Sequence, residues 1–171
     1  HNLKQESRDQ QKRNIMKRVC ALVILCAMSM ASLAAQTRQL KNFDQLMFAL
    51  RTGSDVRAII TYARCRLVID SVETKAPDAV GGMSISTFEY FAPNSVRNPK
   101  GFVTASQSVL ISHPRYGQVY NYVKMRIYED NTVEINARYL NPTTYLILMD
   151  ETFYGKISAG DDGNAVCLFE N

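Results

Sequence analysis

The residues of this chain that can do chemistry are few. Beyond position 1 there is one histidine, His113, in "SHPRYGQVYNYVKMRIYEDNTVEINARYL", Ser112 to Leu140. Its imidazole is a candidate general base, but a serine or cysteine hydrolase needs the nucleophile beside that base. Ser112 is adjacent in sequence, yet on an extended strand it points to the opposite face. With Pro114, Arg115 and Tyr116 behind it, His113 reads as a polar turn between strands, structural or binding in role. The carboxylate pairs Asp150-Glu151 and Asp161-Asp162 would suit a glycosidase-type reaction. The first pair projects to both faces of a strand, and the second sits in a turn with Gly163. Asp161, Asp162 and Asn164 lack the ligand order of a calcium loop. No CxxC, HxxxH, G-x-G-x-x-G, P-loop or G-x-S-x-G spacing occurs. The expectation is therefore no catalytic residue, no metal and no cofactor.

Charge and cysteines depend on how the N-terminus is read. "MKRVCALVILCAMSMASLAAQT" from Met16 runs from basic Lys17-Arg18 through apolar Val19–Met30 to small residues at Ser32, Ala34 and Ala35. That order is the pattern of a secretory signal peptide, cut after Ala34 or one residue later. The apolar run is too short to span a hydrocarbon layer of roughly 30 Å. Residues 1–15 are polar, lack apolar periodicity, and read as an upstream extension of the frame. The expected organisation is thus extension 1–15, signal 16–34 and one domain over 35–171. The product would be periplasmic or secreted, without a stable membrane span after signal removal. Residues 1–35 hold six Lys/Arg and two acids, which leaves 14 of each sign in 36–171. The net charge of +4 belongs to the leader, so the mature chain has no basic excess for nucleic acid. Cys65 and Cys167 stay in the mature chain, and two cysteines in an exported domain predict a disulfide.

The elements that must position any site follow from periodicity. "KNFDQLMFALRTG" places Phe43, Leu46, Met47 and Leu50 on one helical face, between an Asn42 N-cap paired with Gln45 and a terminating Gly53. Strands are expected from Val56 to Tyr62, from Cys65 to Ile69, in "SISTFEYFA" and in "FVTASQSVLIS". "APDAVGGM" and "APNSVRNPKG" are punctuated as loops. "KMRIYEDNTVEIN" predicts a hairpin with the loop Glu129-Asp130-Asn131 and Asn131 left-handed. Its register pairs Met125 with Ile135, Ile127 with Val133, Val123 with Ala137, and Arg126 with Glu134. A slip of one residue would put the apolar set in water. "TTYLILMDETFYGKI" gives one or two strands bent near Asp150, and "SAGDDGNAVCLFE" a final hairpin. Eight to ten strands with one short amphipathic helix predict a mainly β (α+β) antiparallel meander, closing into a barrel or a sandwich.

On the first strand of that hairpin, Tyr120, Tyr122 and Tyr128 share parity with Lys124 and Arg126, opposite Met125 and Ile127. Tyrosine interleaved with cations suits a recognition surface. The candidate binding residues are His113, Arg115, Tyr120, Tyr122, Lys124 and Arg126.

The strings "FDQLMFALRTGSDVRAIITYARC", "PDAVGGMSISTFEYF", "ISHPRYGQVYNYVKMRIYEDNTVEINARYLNPTTY" and "MDETFYGKI" together resemble the VirK family, over about residues 42–157. The resemblance implies a small exported Gram-negative protein associated with virulence loci, and carries over no catalytic residue. Some relatives have a cysteine after "DETF", where this chain has Tyr154-Gly155, so the partner of Cys65 stays open. The expected function is a non-enzymatic accessory factor that binds a partner protein or an envelope ligand. A lipocalin-like carrier with an interior pocket and a hydrolase using His113 are the alternatives.

Overall fold

A computed structural model describes residues 37–171; the expected extension and signal peptide lie outside the described residues. Eleven strands and one helix follow in order: β1 (Arg38–Leu40), α1 (Phe43–Arg51), β2 (Val56–Thr61), β3 (Arg66–Ile69), β4 (Val72–Thr74), β5 (Val80–Ser84), β6 (Phe88–Phe91), β7 (Phe102–His113), β8 (Gly117–Tyr128), β9 (Thr132–Leu140), β10 (Ile147–Lys156) and β11 (Val166–Glu170). They form two antiparallel sheets, ordered β1-β11-β2-β5 and β4-β3-β10-β9-β8-β7-β6. Neither closes into a barrel. Val56, Ala58, Ile60 and Met83 of the first sheet share one buried cluster with Met125, Ile127, Ile135 and Phe153 of the second. Among the described residues no helix is long and apolar enough to cross a membrane.

The locally encoded pieces form as their residues dictate. Asn42 Oδ1 accepts from Gln45 N at 2.9 Å, while Gln45 Oε1 reaches back to Lys41 N at 2.8 Å. These two bonds satisfy amides that a helix start otherwise leaves unpaired. Phe43, Leu46, Met47 and Leu50 are buried, and Gly53 ends the helix at φ +79°. Between β8 and β9 the register is the expected one throughout, including Met125 opposite Ile135 and Arg126 opposite Glu134. Asn131 turns the hairpin at φ +66°.

Two expectations change. Val80–Ser84 is a strand rather than part of a loop, pairing Gly81 with Ile60 and Gly82 with Ile59. The glycines that looked like loop punctuation serve packing instead: a Cβ on Gly81 would stand 2.8 Å from the Tyr62 ring. "TTYLILMDETFYGKI" holds one strand, Ile147–Lys156, within the expected one or two, and its irregularity falls between Ile147 and Met149, close to the expected bend. The terminal segment is not a hairpin arm. The chain leaves the large sheet after β10, Ile157 makes a parallel bridge to Val166, and β11 enters the small sheet between β1 and β2.

The expected disulfide is not formed in the structure, where Cys65 and Cys167 are both free. Along β11, Val166 and Leu168 are buried, so the pleat turns Cys167 outward beside half-exposed Ile59, its cross-strand partner. Cys65 faces the core, where burial pushes its thiol pKa up.

Two exposed turns hold the carboxylates with the largest downward pKa shifts. Asp130 accepts from Lys100 Nζ and from Thr132, which lowers its pKa to about 2. The Asp162 carboxylate closes its loop through Ala159 N and Asn164 N and is also lowered to about 2. Both folded values lie below the ordinary 3.8, so their contribution is present above that pH and lost as pH falls toward 2. Glu151 runs the other way, because burial raises its pKa. Thermal unfolding followed by circular dichroism is expected to show a midpoint falling between about pH 4 and pH 2. The double substitution Asp130→Asn, Asp162→Asn should flatten that fall. An unchanged slope would show that other carboxylates carry it.

Candidate functional site

Strand parity divides the large sheet into a core face, with Met125, Ile127, Val133 and Ile135, and an outer face. Across the outer face the register sets Tyr122 beside Arg138, Lys124 beside Asn136, and Arg126 beside Glu134. Arg126 Nη1 bonds Glu134 Oε1 at 3.1 Å, and Tyr128 Oη donates to the other carboxylate oxygen at 3.1 Å. Arg138 Nη2 lies 3.0 Å from Asp150 Oδ2, and Asn136 Nδ2 donates to Asp150 Oδ1 at 2.9 Å. The Arg138 side chain lowers the Asp150 pKa. Such half-exposed pairs add at most about 1 kcal/mol each, so their effect is to hold orientation. Among the described residues Lys124 has no ion-pair or hydrogen-bond partner. It stands in a shallow groove of about 240 Å³ lined by Tyr122, Lys124, Arg126, Glu134, Asn136 and Arg138. Three of the six expected binding residues therefore meet.

The others do not join them. Tyr120 lies further along the same face, stacked parallel on Tyr145 at 6.4 Å. His113 pairs with Gly117 at the end of β7, on the face opposite Tyr120, Tyr122, Lys124 and Arg126. Its ring packs on Tyr116 at 4.9 Å and on Tyr139 at 4.8 Å. Val119, fully buried yet outside the main core, shares that face. His113 Nδ1 accepts from Arg115 N at 3.1 Å and Tyr116 N at 3.3 Å. Within the described residues no carboxylate or hydroxyl hydrogen-bonds the ring, so the base has no nucleophile. His113 organises its turn, and Arg115 stands over Tyr116 with its guanidinium 5.3 Å from the ring centroid.

Beyond Tyr120 the outer face becomes apolar. Leu110, Tyr120, Leu140 and Ile147 form one cross-strand row through β7, β8, β9 and β10. Leu110 is 53% exposed and Ile147 54%, with Tyr145 and Leu146 more open still. Val109, on the other face, is also 48% exposed, so this end of the β7–β8 hairpin overhangs the core. Exposed aliphatics in a contiguous row mark contact surfaces more than scattered ones do.

A second groove, of about 580 Å³, opens at the other end of the same face. It runs over Thr132 and Glu134 between Tyr128 and Tyr154, with Arg64, Arg66, Lys156 and Asn164 around it. The Arg66 guanidinium sits 4.6 Å from the Tyr154 ring centroid. Sequence reasoning missed this groove, because it needs β3 to pair with β10 and the chain after Asp162 to fold back. The one local signal was Gly155, a glycine inside an otherwise β-forming run. Among the described residues no group of three or more His, Cys, Asp or Glu could hold a metal ion.

Two open antiparallel sheets on one core, one capped helix and a tyrosine-and-cation outer face define a small two-sheet β protein with its distinctive chemistry on the larger sheet. The family model described as VirK protein matches residues 39–145, and the chain belongs to the VirK family. The crystal structure of a VirK family protein from Legionella pneumophila is similar in fold, with a TM-score of 0.58 and 16% sequence identity. The similarity covers 77% of this chain and 98% of that one. No curated protein matches the sequence.

Proposed function

We propose that this VirK family member is an exported, non-enzymatic accessory protein, associated with virulence, that binds a protein partner in the periplasm or outside the cell. The observation that carries the reading is the outer face of the large sheet. There the row Leu110, Tyr120, Leu140 and Ile147, exposed at Leu110 and Ile147 and half-buried between them, adjoins Tyr122, Lys124, Arg126 and Arg138. Tyrosine and arginine beside exposed aliphatics compose a protein interface, and the unpaired Lys124 favours an acidic group on the partner. Export is read from the signal-like segment at residues 16–34. The alternatives gain less support. The sheets do not close, so a lipocalin-like carrier has no lumen, and His113 has its acceptor nitrogen occupied by backbone amides.

Affinity capture from periplasm and culture supernatant, run in parallel with the mature protein and its Leu110→Ser, Ile147→Ser variant, tests this. Both substitutions are at exposed positions, so the variant should melt close to the parent. The expected result is a protein retained by the parent and lost from the variant. Equal retention by both, or no specific retention by either, overturns the reading.

A further inference from the structure

We infer that the groove between Tyr128 and Tyr154 is a binding site for a small organic anion, a flat apolar body bearing a carboxylate, sulfonate or phosphate. This site is separate from the protein-binding row and does not rest on it.

The groove has the size of ligand sites, which run from about 300 to 1,000 Å³, at about 580 Å³. Its charge is one-sided. Arg64, Arg66 and Lys156 border it, and Glu134 is the acid among its lining residues. Glu134 already accepts from Arg126 and from Tyr128 Oη, so it neutralises little else. Arg66 has a loose exposed contact to Glu73 at 3.7 Å. Arg64 and Lys156 form no ion pair among the described residues. In a body with equal numbers of acids and bases, such convergence is a local positive field, and it favours an anion.

The shape argues for a flat apolar body. Tyr128 on β8 and Tyr154 on β10 stand two strands apart, about 10 Å by ordinary strand spacing, with β9 as the floor between them. Gly155 belongs to the same lining, and a Cβ there would lie 3.0 Å from Ala165 Cβ. Glycine thus lets the Ala165 segment close down and shape that end. Both tyrosine rings offer a face for stacking. Tyr128 Oη is committed to Glu134, so the donors for an oxyanion are the Tyr154 hydroxyl and the Arg66 guanidinium lying on that ring.

The test uses 8-anilinonaphthalene-1-sulfonate, an aromatic sulfonate, titrated by fluorescence against the folded mature protein. Three proteins are compared: the parent, Arg64→Gln with Lys156→Gln, and Leu110→Ser with Ile147→Ser. The neutral dye N-phenyl-1-naphthylamine is run beside it. Saturable binding of the sulfonate is expected, weakened about tenfold by the Arg64/Lys156 pair and unchanged by the Leu110/Ile147 pair. The neutral dye should not respond to removal of the cations. Competition by benzoate or by phenyl phosphate then identifies the oxyanion. The inference is overturned if the Leu110/Ile147 pair abolishes the signal, which would place the dye on the apolar row. Sulfonate binding indifferent to Arg64 and Lys156 overturns it equally. Loss of the apolar-row interaction with a protein partner would leave these titrations unaffected, so the two readings fail separately.

Discussion

A chain lacking residues 166–171 is expected not to fold. β11 is the second strand of the four-stranded sheet, paired on one side with β1 (Leu40 opposite Leu168) and on the other with β2 (Val166 opposite Ile60, Leu168 opposite Ala58). Its removal would strip hydrogen-bond partners from two strands whose inward residues are fully buried. It would also leave Leu40, Ala58 and Ile60 facing the space that Val166 and Leu168 fill. Orphaned buried amides and carbonyls cost about 1–3 kcal/mol each, and a domain's whole stability is about 5–15 kcal/mol. Several such losses together exceed the margin. The milder change Leu168→Ala keeps the backbone ladder and removes only side chain, so it should cost about 2–5 kcal/mol. Urea unfolding followed by circular dichroism would show a shifted but cooperative transition for Leu168→Ala and none for the truncated chain. A truncated chain that unfolds cooperatively near the parent midpoint would mean that β1 and β2 close on each other without β11.

The same strand shows where sequence reasoning stopped. Asp161-Asp162-Gly163-Asn164 is a turn signal, and it does make a tight loop, tied by the Asp162 carboxylate. Turn chemistry is local, however, and does not say which sheet the next strand joins. The β8–β9 hairpin was legible for the opposite reason: its loop, its alternating burial and its Arg126–Glu134 pair lie within one short segment, so register and face follow together. The meeting of Tyr122, Lys124 and Arg126 was legible by parity alone. His113 and Arg115 are near them in the chain, but the pleat turns His113 to the opposite face and Arg115 stands in the turn between β7 and β8. Arg64, Arg66, Lys156 and Tyr154 share a groove only because β3 pairs with β10, a contact between distant segments that no local period announces. Gly81 and Gly82 read as loop residues for a related reason, since what requires room there comes from β2 and the turn after it: the Tyr62 ring at Gly81, and Ile59 with the Ala58 carbonyl at Gly82.

Asn131 is expected to matter more than a turn residue should, and its substitutions separate the reasons. Its left-handed φ of +66° was predictable from the hairpin. Its side chain was not: Oδ1 accepts from Phe43 N at 2.7 Å, and its carbonyl accepts from Ile157 N at 3.0 Å. One residue therefore holds the first amide of α1 and the chain leaving β10. Asn42 already serves Gln45 N, so without Asn131 the partly buried Phe43 amide loses its acceptor. Asn131→Gly keeps the backbone conformation at no steric cost and removes the side-chain bond, which should cost about 1–2 kcal/mol. Asn131→Ala loses the bond and, unlike Gly, keeps a Cβ in the left-handed region without asparagine's short polar side chain, so it should lie about 1–2 kcal/mol below Asn131→Gly. Asn131→Asp keeps an acceptor in place and brings a negative charge to a helix N-terminus, which is favourable. It should therefore stay within about 1 kcal/mol of the parent above the carboxylate pKa. Urea unfolding at neutral pH would order the proteins parent and Asp, then Gly, then Ala. If Gly matches the parent while Ala alone falls, the turn conformation is what Asn131 supplies, and the bond to Phe43 contributes nothing measurable. If Gly and Ala fall together with Asp intact, the helix amide is the dominant contact, and the short helix is anchored from the hairpin loop rather than by its own cap.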